Sequence, residues 1–512
     1  MALALSDGQT FSHTAARKND RNILVQLKRP HALRDLFQEL WREKETIETV
    51  VAHHLRRSEP SACIVQGVET WWRGQFNICI LIHVHDSDGR AFKKKIFRCP
   101  VPHRVGEQNY PGTVDEKLRA EIATYAWIES NCCDIPIPCL HGFGLSSSLQ
   151  FTHRAQGVGF VQDPSHCGFN RPYLLLDNVG SDKSKMLSAT LKEYRKTDQN
   201  RMQNLCRGIS RIMLSLASKA QPHIGSLRFN DDASITLATR PLFCAVSILE
   251  SEGAPRVLNR TYATSRSFVD DMLDFREAAF RAQPNAVHDE DDCLLQMFHF
   301  TLLRYLKGSL VDCNSEGPFV LQLTDVNSSN FFVDDEWNVV GLIDLEFVCA
   351  LPPSMIDMPY WLSMDYIDDV SDHIEAFSRS QKAFTEILRE EEQTFTHERG
   401  VRLASSMQEA WTSDSYWFYH CLTSINAIPY CVEEHLYKKL RFSPSLEEER
   451  VVAKTMSKFW PPDSKAIVEQ KLRDRAAYDN EMARHFGFVQ QDDGESIMAP
   501  LSAASVTGNE TL

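Results

Sequence analysis

Apolar and polar positions follow two different periods along the first part of the chain. In "HALRDLFQELWREKETIETVVAHHL", residues 31–55, apolar side chains recur at the spacing of one helix face, which predicts a long amphipathic helix. From about Cys63 the pattern changes in "CIVQGVETWW", "FNICILIHVH" and "FKKKIFRCP". These alternating runs predict β-strands, and the turn sequence "DSDGR" between the last two predicts an antiparallel meander.

The rest of the chain returns to helical spacing. "VDEKLRAEIATYAWIESN" predicts a helix, and "IPIPCLHGFG" and "RPYLLLDNVG" predict further strands. Later helices are predicted in "NRMQNLCRGISRIMLSLASK", "SFVDDMLDFREAAFRAQ" and "DDCLLQMFHFTLLRYLKGSL", and for most of the chain from Trp361 to about Phe486. "IGSLRFNDDASITLATRPL" predicts a hairpin.

This order of elements predicts an α+β fold of two unequal lobes. We expect a small N-terminal lobe with a five-stranded antiparallel sheet and one main helix, and a larger, mostly helical C-terminal lobe. Polar ends without periodicity indicate flexible tails. The expected limits are a tail at 1–20, an N-terminal helical extension at 21–60, the N-lobe at 61–179, the C-lobe at 180–486 and a tail at 487–512.

Composition and charge narrow the classes of partner. The 512 residues carry a net charge of -14, which argues against binding of nucleic acid or of anionic lipid surfaces. The first ten residues do not predict a signal peptide and no apolar run of about 18 residues predicts a membrane span, so no membrane partner and a cytoplasmic location are expected. The 14 cysteines lack a CxxC pair, which favours reduced thiols over disulfides or zinc.

The stretch "LTDVNSSNFFVDDEWNVVGLIDLEF", residues 323–347, sets three polar side chains among apolar ones. A strand near Phe331–Val333, a turn and a second strand near Val339–Ile343 bring Asn330 and Asp344 to the same open end of a hairpin. Asp325 lies in a loop that can fold back over them. Such oxygen ligands suit Mg²⁺, although turn formation and strand capping would also explain these residue types.

The spacing D-x-x-x-x-N, a short hairpin and then I-D resembles the aminoglycoside phosphotransferase and choline kinase-like family, which has a protein-kinase-like fold. "IGSLRFNDDASITLATRPL" and "PPSMIDMPYWL" are most similar to a fungal-type branch. The resemblance implies ATP- and Mg²⁺-dependent transfer of the γ-phosphoryl group to a hydroxyl of a small molecule. It implies Asp325 as the catalytic residue and Asn330 and Asp344 as metal ligands.

The resemblance also implies a nucleotide site in the N-lobe. "RGQFNICILI" resembles the nucleotide-covering turn, with Gly74 allowing close backbone approach and Asn77 leading into the next strand. Arg98 in "KKKIFRCP" takes the place of the phosphate-contacting lysine of protein kinases, and Glu121 on the following helix would pair with it. "YLLLDNVG" resembles the hinge that holds adenine, which implicates Leu176 and Asp177.

Two positions differ from the family pattern. Histidine is common two residues before and two residues after the catalytic aspartate, where this chain has Leu323 and Asn327. The alternative reading is therefore a catalytically weak, kinase-like interaction protein. Phosphorylation of proteins ranks last, because no activation segment is recognisable between "IDLEF" and "PPSMIDMPYWL". The acceptor and the oligomeric state stay open.

Overall fold

The computed structural model describes residues 2–4, 10–19, 21–86, 91–154, 159–164, 167–312, 316–367, 369–395, 401–460, 463–490 and 496–498. Its first half is built on one antiparallel sheet and its second half mostly on helices, as the sequence predicts. The α+β class is confirmed, and so is the expected order of a sheet-based N-terminal part and a larger, mostly helical C-terminal part. The exact limits of the lobes stay a prediction.

Among the described residues the N-terminal sheet has eight strands, so the expected number of five is wrong. Its strands are β3 (Cys63–Val65), β4 (Trp72–Arg73), β5 (Asn77–His85), β6 (Phe92–Pro100), β7 (Leu140–Gly144), β8 (Gln150–His153), β9 (Phe160–Gln162) and β10 (Tyr173–Asp177). The order is β3-β5-β6-β10-β7-β8-β9, with β4 paired to β5. The extra strands are short and pair at the margins, where the alternation signal is weakest.

Helix α4 (Thr113–Asn131) lies between β6 and β7 in the chain. Gly112 precedes it with a φ of 95°, a conformation that costs glycine little. The Glu107 carboxylate accepts hydrogen bonds at 2.7 Å from the backbone N–H groups of Gly112 and Val114, which satisfies donors at the helix start. Arg119 donates at 2.9 Å to the carbonyl oxygen of Phe229, so α4 is joined to the second half of the chain.

Two helices, α2 (Ile23–Arg42) and α3 (Lys44–His54), replace the single long helix expected at 31–55. The break falls at Glu43, where ψ reaches 11°. Leu40 of α2 and Val50 of α3 belong to the same apolar cluster as Ile80 and Phe97 of the sheet. The break lets both helices cover that sheet. The apolar period of the sequence continues through Glu43, so the sequence does not predict the break.

The first residues are not all a flexible tail. Strand β2 (Thr10–Ser12), which pairs with β1 (Ala2–Ala4), leads into α1 (His13–Arg17). Ala16 is fully buried against Tyr478 and Met482 near the C-terminus. The expectation for 1–20 is therefore wrong for residues 10–19, because apolar groups at the two ends of the chain cover each other. Residues 1, 5–9 and 20 lie outside the described residues.

Between residues 180 and 360, the described part of the chain contains two small sheets beside its helices. The strands are β11 (Lys185–Met186), β12 (Gly225–Phe229), β13 (Ile235–Thr239), β14 (Val320–Leu323), β15 (Phe331–Val333), β16 (Val339–Leu342) and β17 (Val348–Leu351). One sheet has the order β13-β12-β17-β14 and the other has the order β11-β15-β16. The predicted hairpin of β12 and β13 is confirmed, and β14 and β17 extend it.

Most helices of the second half fall within the predicted helical runs, whereas those at Leu191–Tyr194 and Cys244–Ser251 lie in segments for which no helix is predicted. The helices are α5 (Leu191–Tyr194), α6 (Gln199–Ala217), α7 (Cys244–Ser251), α8 (Ser265–Ala282), α9 (Glu290–Leu310), α10 (Asp369–Asp372), α11 (Ile374–Glu392), α12 (Leu403–Ser413), α13 (Ser415–Thr423), α14 (Ile428–Cys431), α15 (Tyr437–Lys439), α16 (Leu446–Met456) and α17 (Ser464–His485). Strands β18 (Phe488–Gln490) and β19 (Ser496–Met498) pair after them. The rest of the expected tail at 487–512 lies outside the described residues, apart from Gly487.

Two further expectations concern the whole chain. The cysteines within the described ranges are all free, in agreement with the expected reduced thiols. None of the helices in those ranges combines the length and the apolar character needed to cross a bilayer.

Candidate active site

The hairpin of β15 and β16 brings Asn330 and Asp344 together, as its sequence predicts. Phe331 pairs with Leu342, and the Ile343 N–H donates to the Asn330 carbonyl oxygen at 2.9 Å. At the closed end the Asp334 carboxylate accepts from the backbone N–H groups of Glu336 and Asn338 at 3.0 and 2.9 Å. The turn is thus held by its own side chain, and the open end of the hairpin carries the two polar residues.

The loop before β15 folds back onto this end. Asn330 Nδ2 donates to the Asp325 carbonyl oxygen at 3.0 Å. This hydrogen bond uses the amide nitrogen of Asn330 and does not involve its amide oxygen. Asn327 Nδ2 donates to Asp325 Oδ1 at 2.7 Å, so Asn327 orients the carboxylate of Asp325. Burial, followed by the charges of Asp344 and Glu346, raises the pKa of Asp325 to about 7.

Asp344 meets the N-terminal sheet through Arg98. Arg98 Nη2 lies 3.0 Å from Asp344 Oδ1 and 2.8 Å from Glu121 Oε2. The expected ion pair of Arg98 and Glu121 is therefore present. Asp344 has a φ of 65°, an uncommon conformation for a residue other than glycine and one that recurs at functional sites.

Three further side chains complete this group. Glu346 Oε2 accepts from Arg98 Nη2 at 2.9 Å and from Asn77 Nδ2 at 2.9 Å, and it forms an ion pair with Lys117. Lys117 Nζ also lies 3.3 Å from Asn77 Oδ1. We call Asn77, Arg98, Lys117, Glu121, Asp344 and Glu346 the charged cluster.

The charged cluster holds more negative than positive charge. Arg98 and Lys117 face three carboxylates, and every member except Asp344 is buried. Burial opposes the charge on Arg98, but the carboxylates raise its pKa well above the ordinary value, so Arg98 stays protonated. Burial raises the pKa of Glu121 to about 7 and also raises the pKa of Asp344. At Glu346, by contrast, Lys117 and Arg98 outweigh burial and lower the pKa.

The charged cluster also contains unsatisfied polar atoms. Arg98 Nε, Glu121 Oε1 and Glu346 Oε1 are buried without a hydrogen-bond partner in the described part of the chain. Asp344, with 31% of its side chain exposed, is the carboxylate most open to an incoming group. Oxygen donors from Asp344, Asn330 and Glu346 and the unmatched negative charge together fit a divalent cation such as Mg²⁺.

Sequence reasoning missed Lys117 and Glu346. Lys117 lies four residues before Glu121, which is one turn of α4, so both side chains face the same side of that helix. Glu346 follows Asp344 by two residues inside the apolar run "GLIDLEFVC". Two signals in the sequence could have pointed to these residues. A charged residue inside an apolar run indicates Glu346, and the spacing of one helical turn before Glu121 indicates Lys117.

Gly74 and Asn77 lie at the turn between β4 and β5. The Gly74 N–H donates to the Asn77 carbonyl oxygen at 2.9 Å. The Asn77 oxygen, at 3.8 Å, is the nearest atom that a side chain at Gly74 would meet. Gly74 therefore presents open backbone, whereas the side chain of Asn77 belongs to the charged cluster.

Leu176 and Asp177 lie at the end of β10. Leu176 pairs with Ile96 on one side and with Leu140 on the other, and the Asp177 N–H donates to the Cys139 carbonyl oxygen at 3.1 Å. Burial opposes ionisation of Asp177, but hydrogen bonds from His141 and Lys95 lower its pKa to about 2. No hydrogen bond or ion pair between described residues joins Leu176 or Asp177 to the charged cluster, so their part in holding adenine stays a prediction.

A cavity of about 330 Å³ opens beside Asp325, on the side of the helical lobe. The loop 323–327, the segment 354–360 and helices α12 and α13 contribute to its wall. Asp325 thus lines a space large enough for a small molecule.

Comparisons with known proteins add little to this geometry. No protein-family model matches the chain, and none of the curated proteins matches it. Among solved structures, a macrolide 2'-phosphotransferase type I aligns with 75% of this chain and 94% of its own, at 12% identity and a TM-score of 0.33. An aminoglycoside phosphotransferase from Alicyclobacillus acidocaldarius aligns with 82% and 93%, at 9% identity and a TM-score of 0.26. Scores this low carry no argument about fold or function.

Proposed function

We propose that this chain is a phosphotransferase of the aminoglycoside phosphotransferase type, which transfers the γ-phosphoryl group of ATP to a hydroxyl of a small molecule with the help of Mg²⁺. The observation that carries the proposal is the convergence of four separate segments. Arg98 bonds Glu121 at 2.8 Å and Asp344 at 3.0 Å, and Asn330, beside Asp344 in the hairpin, bonds the backbone of Asp325 at 3.0 Å.

Asp325 acts on the acceptor. Its carboxylate takes the proton of the acceptor hydroxyl while the hydroxyl oxygen forms a bond to the γ-phosphorus and the bond from that phosphorus to the ADP oxygen breaks. Asn327 holds the carboxylate in one orientation through its 2.7 Å hydrogen bond. The cavity beside Asp325 receives the acceptor.

The charged cluster holds the phosphates. When bound there, Mg²⁺ would supply positive charge that offsets the negative charge of the phosphates. Asp344 and Asn330 would hold the metal, and Glu346 adds a further carboxylate oxygen. Arg98 faces the phosphates, positioned by Glu121, while Lys117 and Asn77 keep Glu346 in place.

The nucleotide lies between the lobes in this proposal. Gly74 offers open backbone at the turn before β5, and the end of β10 around Leu176 and Asp177 offers the hinge to adenine. Because the Asp177 N–H is already bonded to Cys139, adenine would use carbonyl oxygens or the residues that follow.

Titration calorimetry with MgATP and a phosphate-release assay test this function. We expect Asp344→Asn to lose the Mg²⁺-dependent part of ATP binding. Asp325→Asn should keep binding and lose hydrolysis by about a hundredfold or more, the typical contribution of a general base. Asp335→Asn, at a hairpin position whose side chain is 78% exposed, should change neither quantity. Absence of MgATP binding by the wild type at millimolar concentration would overturn the proposal.

A second candidate function is nucleotide binding without turnover, as in a kinase-like interaction protein. The observation in its favour is the hydrogen bond of Asn327 to Asp325, which engages one of the two carboxylate oxygens that could accept the proton. In that case the wild type binds MgATP, as the first proposal also expects. The Asp325→Asn variant, however, hydrolyses ATP at the same slow rate as the wild type.

A further inference from the structure

Six arginine side chains are buried in the described part of the chain, and five of them lie 2.7 to 3.7 Å from a carboxylate. The five pairs are Arg29 with Glu252, Arg98 with Glu121, Arg119 with Asp231, Arg240 with Glu116 and Arg475 with Asp479. Arg276 on α8 is the exception, because none of the described carboxylates forms an ion pair with it. A buried charge without a counter-charge is costly, so Arg276 indicates a partner of another kind.

Arg276 holds the chain just beyond the end of α13. It donates to the carbonyl oxygens of Ser424 and Ile425 at 2.6 and 2.8 Å. These carbonyls offset part of its charge, as the C-terminal end of a helix does for a cation. Burial still lowers the pKa of Arg276 to about 10, so the side chain stays protonated at neutral pH. A guanidinium has five N–H donors, and these two hydrogen bonds leave others for a ligand.

A cavity of about 190 Å³ opens beside Arg276, where α8 and α9 meet the segment 425–429. Its lining includes apolar side chains and amides, among them Phe280, Phe300 and Ile428 and Gln283, Gln296 and Asn426. In the described part of the chain it shares no lining residue with the cavity beside Asp325. Its volume is below that of sites for drug-sized ligands, which limits the ligand to a small molecule.

Three other arginine or carboxylate side chains line this cavity, namely Arg21, Glu252 and Asp292. Arg21 and Glu252 satisfy each other, since Arg21 Nε lies 3.0 Å from both oxygens of Glu252. Asp292 has no ion pair with a described cation, and its carboxylate accepts only from neutral groups, a backbone N–H at 2.8 Å and the Gln296 amide at 2.9 Å. One unpaired cation, Arg276, and one unpaired carboxylate therefore line the same small cavity.

We propose that this cavity binds a small zwitterionic amino acid. Its carboxylate accepts from the remaining donors of Arg276, and its ammonium group pairs with Asp292. A ligand with both charges gives each of these groups a counter-charge, whereas a simple anion or a simple amine leaves one of them without a partner. This second ligand site does not depend on the phosphotransferase function proposed above.

Titration calorimetry on the full chain tests the ligand class. The zwitterions are L-leucine and γ-aminobutyrate, in which the two charges are separated by different distances. Each is compared with the analogues that lack one charge, which are isocaproate and isoamylamine for leucine and butyrate and propylamine for γ-aminobutyrate. We expect at least one zwitterion to bind about tenfold more tightly than both of its analogues, the usual gain from a charge-assisted hydrogen bond.

Two outcomes of this titration would overturn the inference. The first is an analogue with a single charge that binds as tightly as the better zwitterion, because one of the two unpaired groups would then play no part. The second is absence of binding by both zwitterions at millimolar concentration.

Substitution of Asp292 locates the ammonium group. Asp292→Asn keeps the shape and removes the charge, so the preference for the zwitterion over its amine-free analogue should fall from tenfold to about twofold or less. Asp291→Asn, at a neighbouring position where 58% of the side chain is exposed, is the matched control and should keep the full preference. A folded Asp292→Asn variant with the full preference would refute the assignment of Asp292.

Substitution of Arg276 locates the carboxylate. In Arg276→Met the zwitterion should bind no more tightly than its carboxylate-free analogue, because the cation is lost. Arg281→Met, at an exposed position in the last turn of the same helix, should bind the zwitterion like the wild type. A folded Arg276→Met variant that still prefers the zwitterion would refute the assignment of Arg276. If Arg276→Met does not fold, the same comparison on the wild type still decides whether a carboxylate is bound.

Discussion

Arg98 Nη2 donates to Asp344 Oδ1 at 3.0 Å although 246 residues separate the two. Strand β6 of the N-terminal sheet and the hairpin of β15 and β16 therefore meet at one ion pair. Glu121 and Glu346 accept from the same nitrogen, at 2.8 and 2.9 Å. This contact joins the two halves of the molecule at the candidate active site, and its loss should be measurable in both stability and ligand binding.

Replacement of Arg98 tests its part in the charged cluster. Arg98→Met leaves the buried Glu121 and Glu346 and the partly exposed Asp344 with Lys117 alone, so we expect a loss of about 3 to 5 kcal/mol in the free energy of unfolding. Arg98→Lys keeps the positive charge but cannot reach all three acceptors. Its free energy of unfolding should therefore lie between those of the wild type and Arg98→Met. Urea unfolding measures the change. Arg260→Met, at an ion pair where the arginine is 51% exposed, is the control with little expected change. An Arg98→Met variant as stable as the wild type would contradict the assigned role.

The charge balance of Lys117 and Glu346 predicts a compensating pair of substitutions. Lys117→Met adds one unmatched negative charge to the charged cluster, whereas Glu346→Gln removes one. The double variant restores the original balance, so it should be more stable than Lys117→Met alone, with an interaction energy of about 1 to 3 kcal/mol. Thermal and urea unfolding of the four proteins measure this energy. Strictly additive effects would mean that the two side chains act independently.

Substitution of Asn327 separates catalysis from binding without turnover. Asn327→Ala removes the 2.7 Å hydrogen bond to Asp325, so the carboxylate loses orientation. We expect hydrolysis of MgATP to fall by about tenfold with unchanged ATP affinity, since a misplaced base loses rate and not ground-state binding. Ser329→Ala, at an exposed position of the same loop, should behave like the wild type. Faster hydrolysis in Asn327→Ala would instead show that Asn327 holds Asp325 out of use.

His54 predicts an acid-sensitive contribution to stability. Its ring is fully buried, with Nδ1 2.7 Å from Thr152 Oγ1 and Nε2 2.7 Å from the Tyr173 hydroxyl. Burial, with smaller contributions from His53 and His141, lowers the pKa of His54 to about 3. The ordinary value is about 6.5, so the unfolded chain takes up the proton first as the pH falls.

The contribution of His54 is therefore complete above pH 6.5 and is lost progressively toward pH 3. At pH 5 the loss should be about 2 kcal/mol relative to pH 8, from the difference between the folded and unfolded pKa values. Unfolding of His54→Gln between pH 8 and pH 5 should show a correspondingly flatter dependence. The exposed His31→Gln serves as control. Parallel curves for His54→Gln and the wild type would contradict the prediction.

Local patterns in the sequence determined a large part of this molecule. The helical and alternating periods predicted the α+β class, the hairpin of β15 and β16 and the proximity of Asn330 to Asp344, because these depend on neighbours within about twenty residues and on turn chemistry. Resemblance to a family, and not periodicity, indicated the pairing of Arg98 with Glu121. The structure contains that pair at 2.8 Å.

Tertiary packing decided the rest. The apolar period runs on through Glu43, yet α2 and α3 separate there so that both can cover the same sheet. Residues 10–19 look like a tail until Tyr478 and Met482 provide a surface for Ala16. Lys117 and Glu346 are an ordinary helix lysine and an isolated glutamate in the sequence, and only folding brings them together with Arg98. Contacts of this kind depend on which residues, distant in sequence, come together in the low-dielectric interior of the fold. The local pattern of apolar and polar residues does not indicate which distant residues will meet.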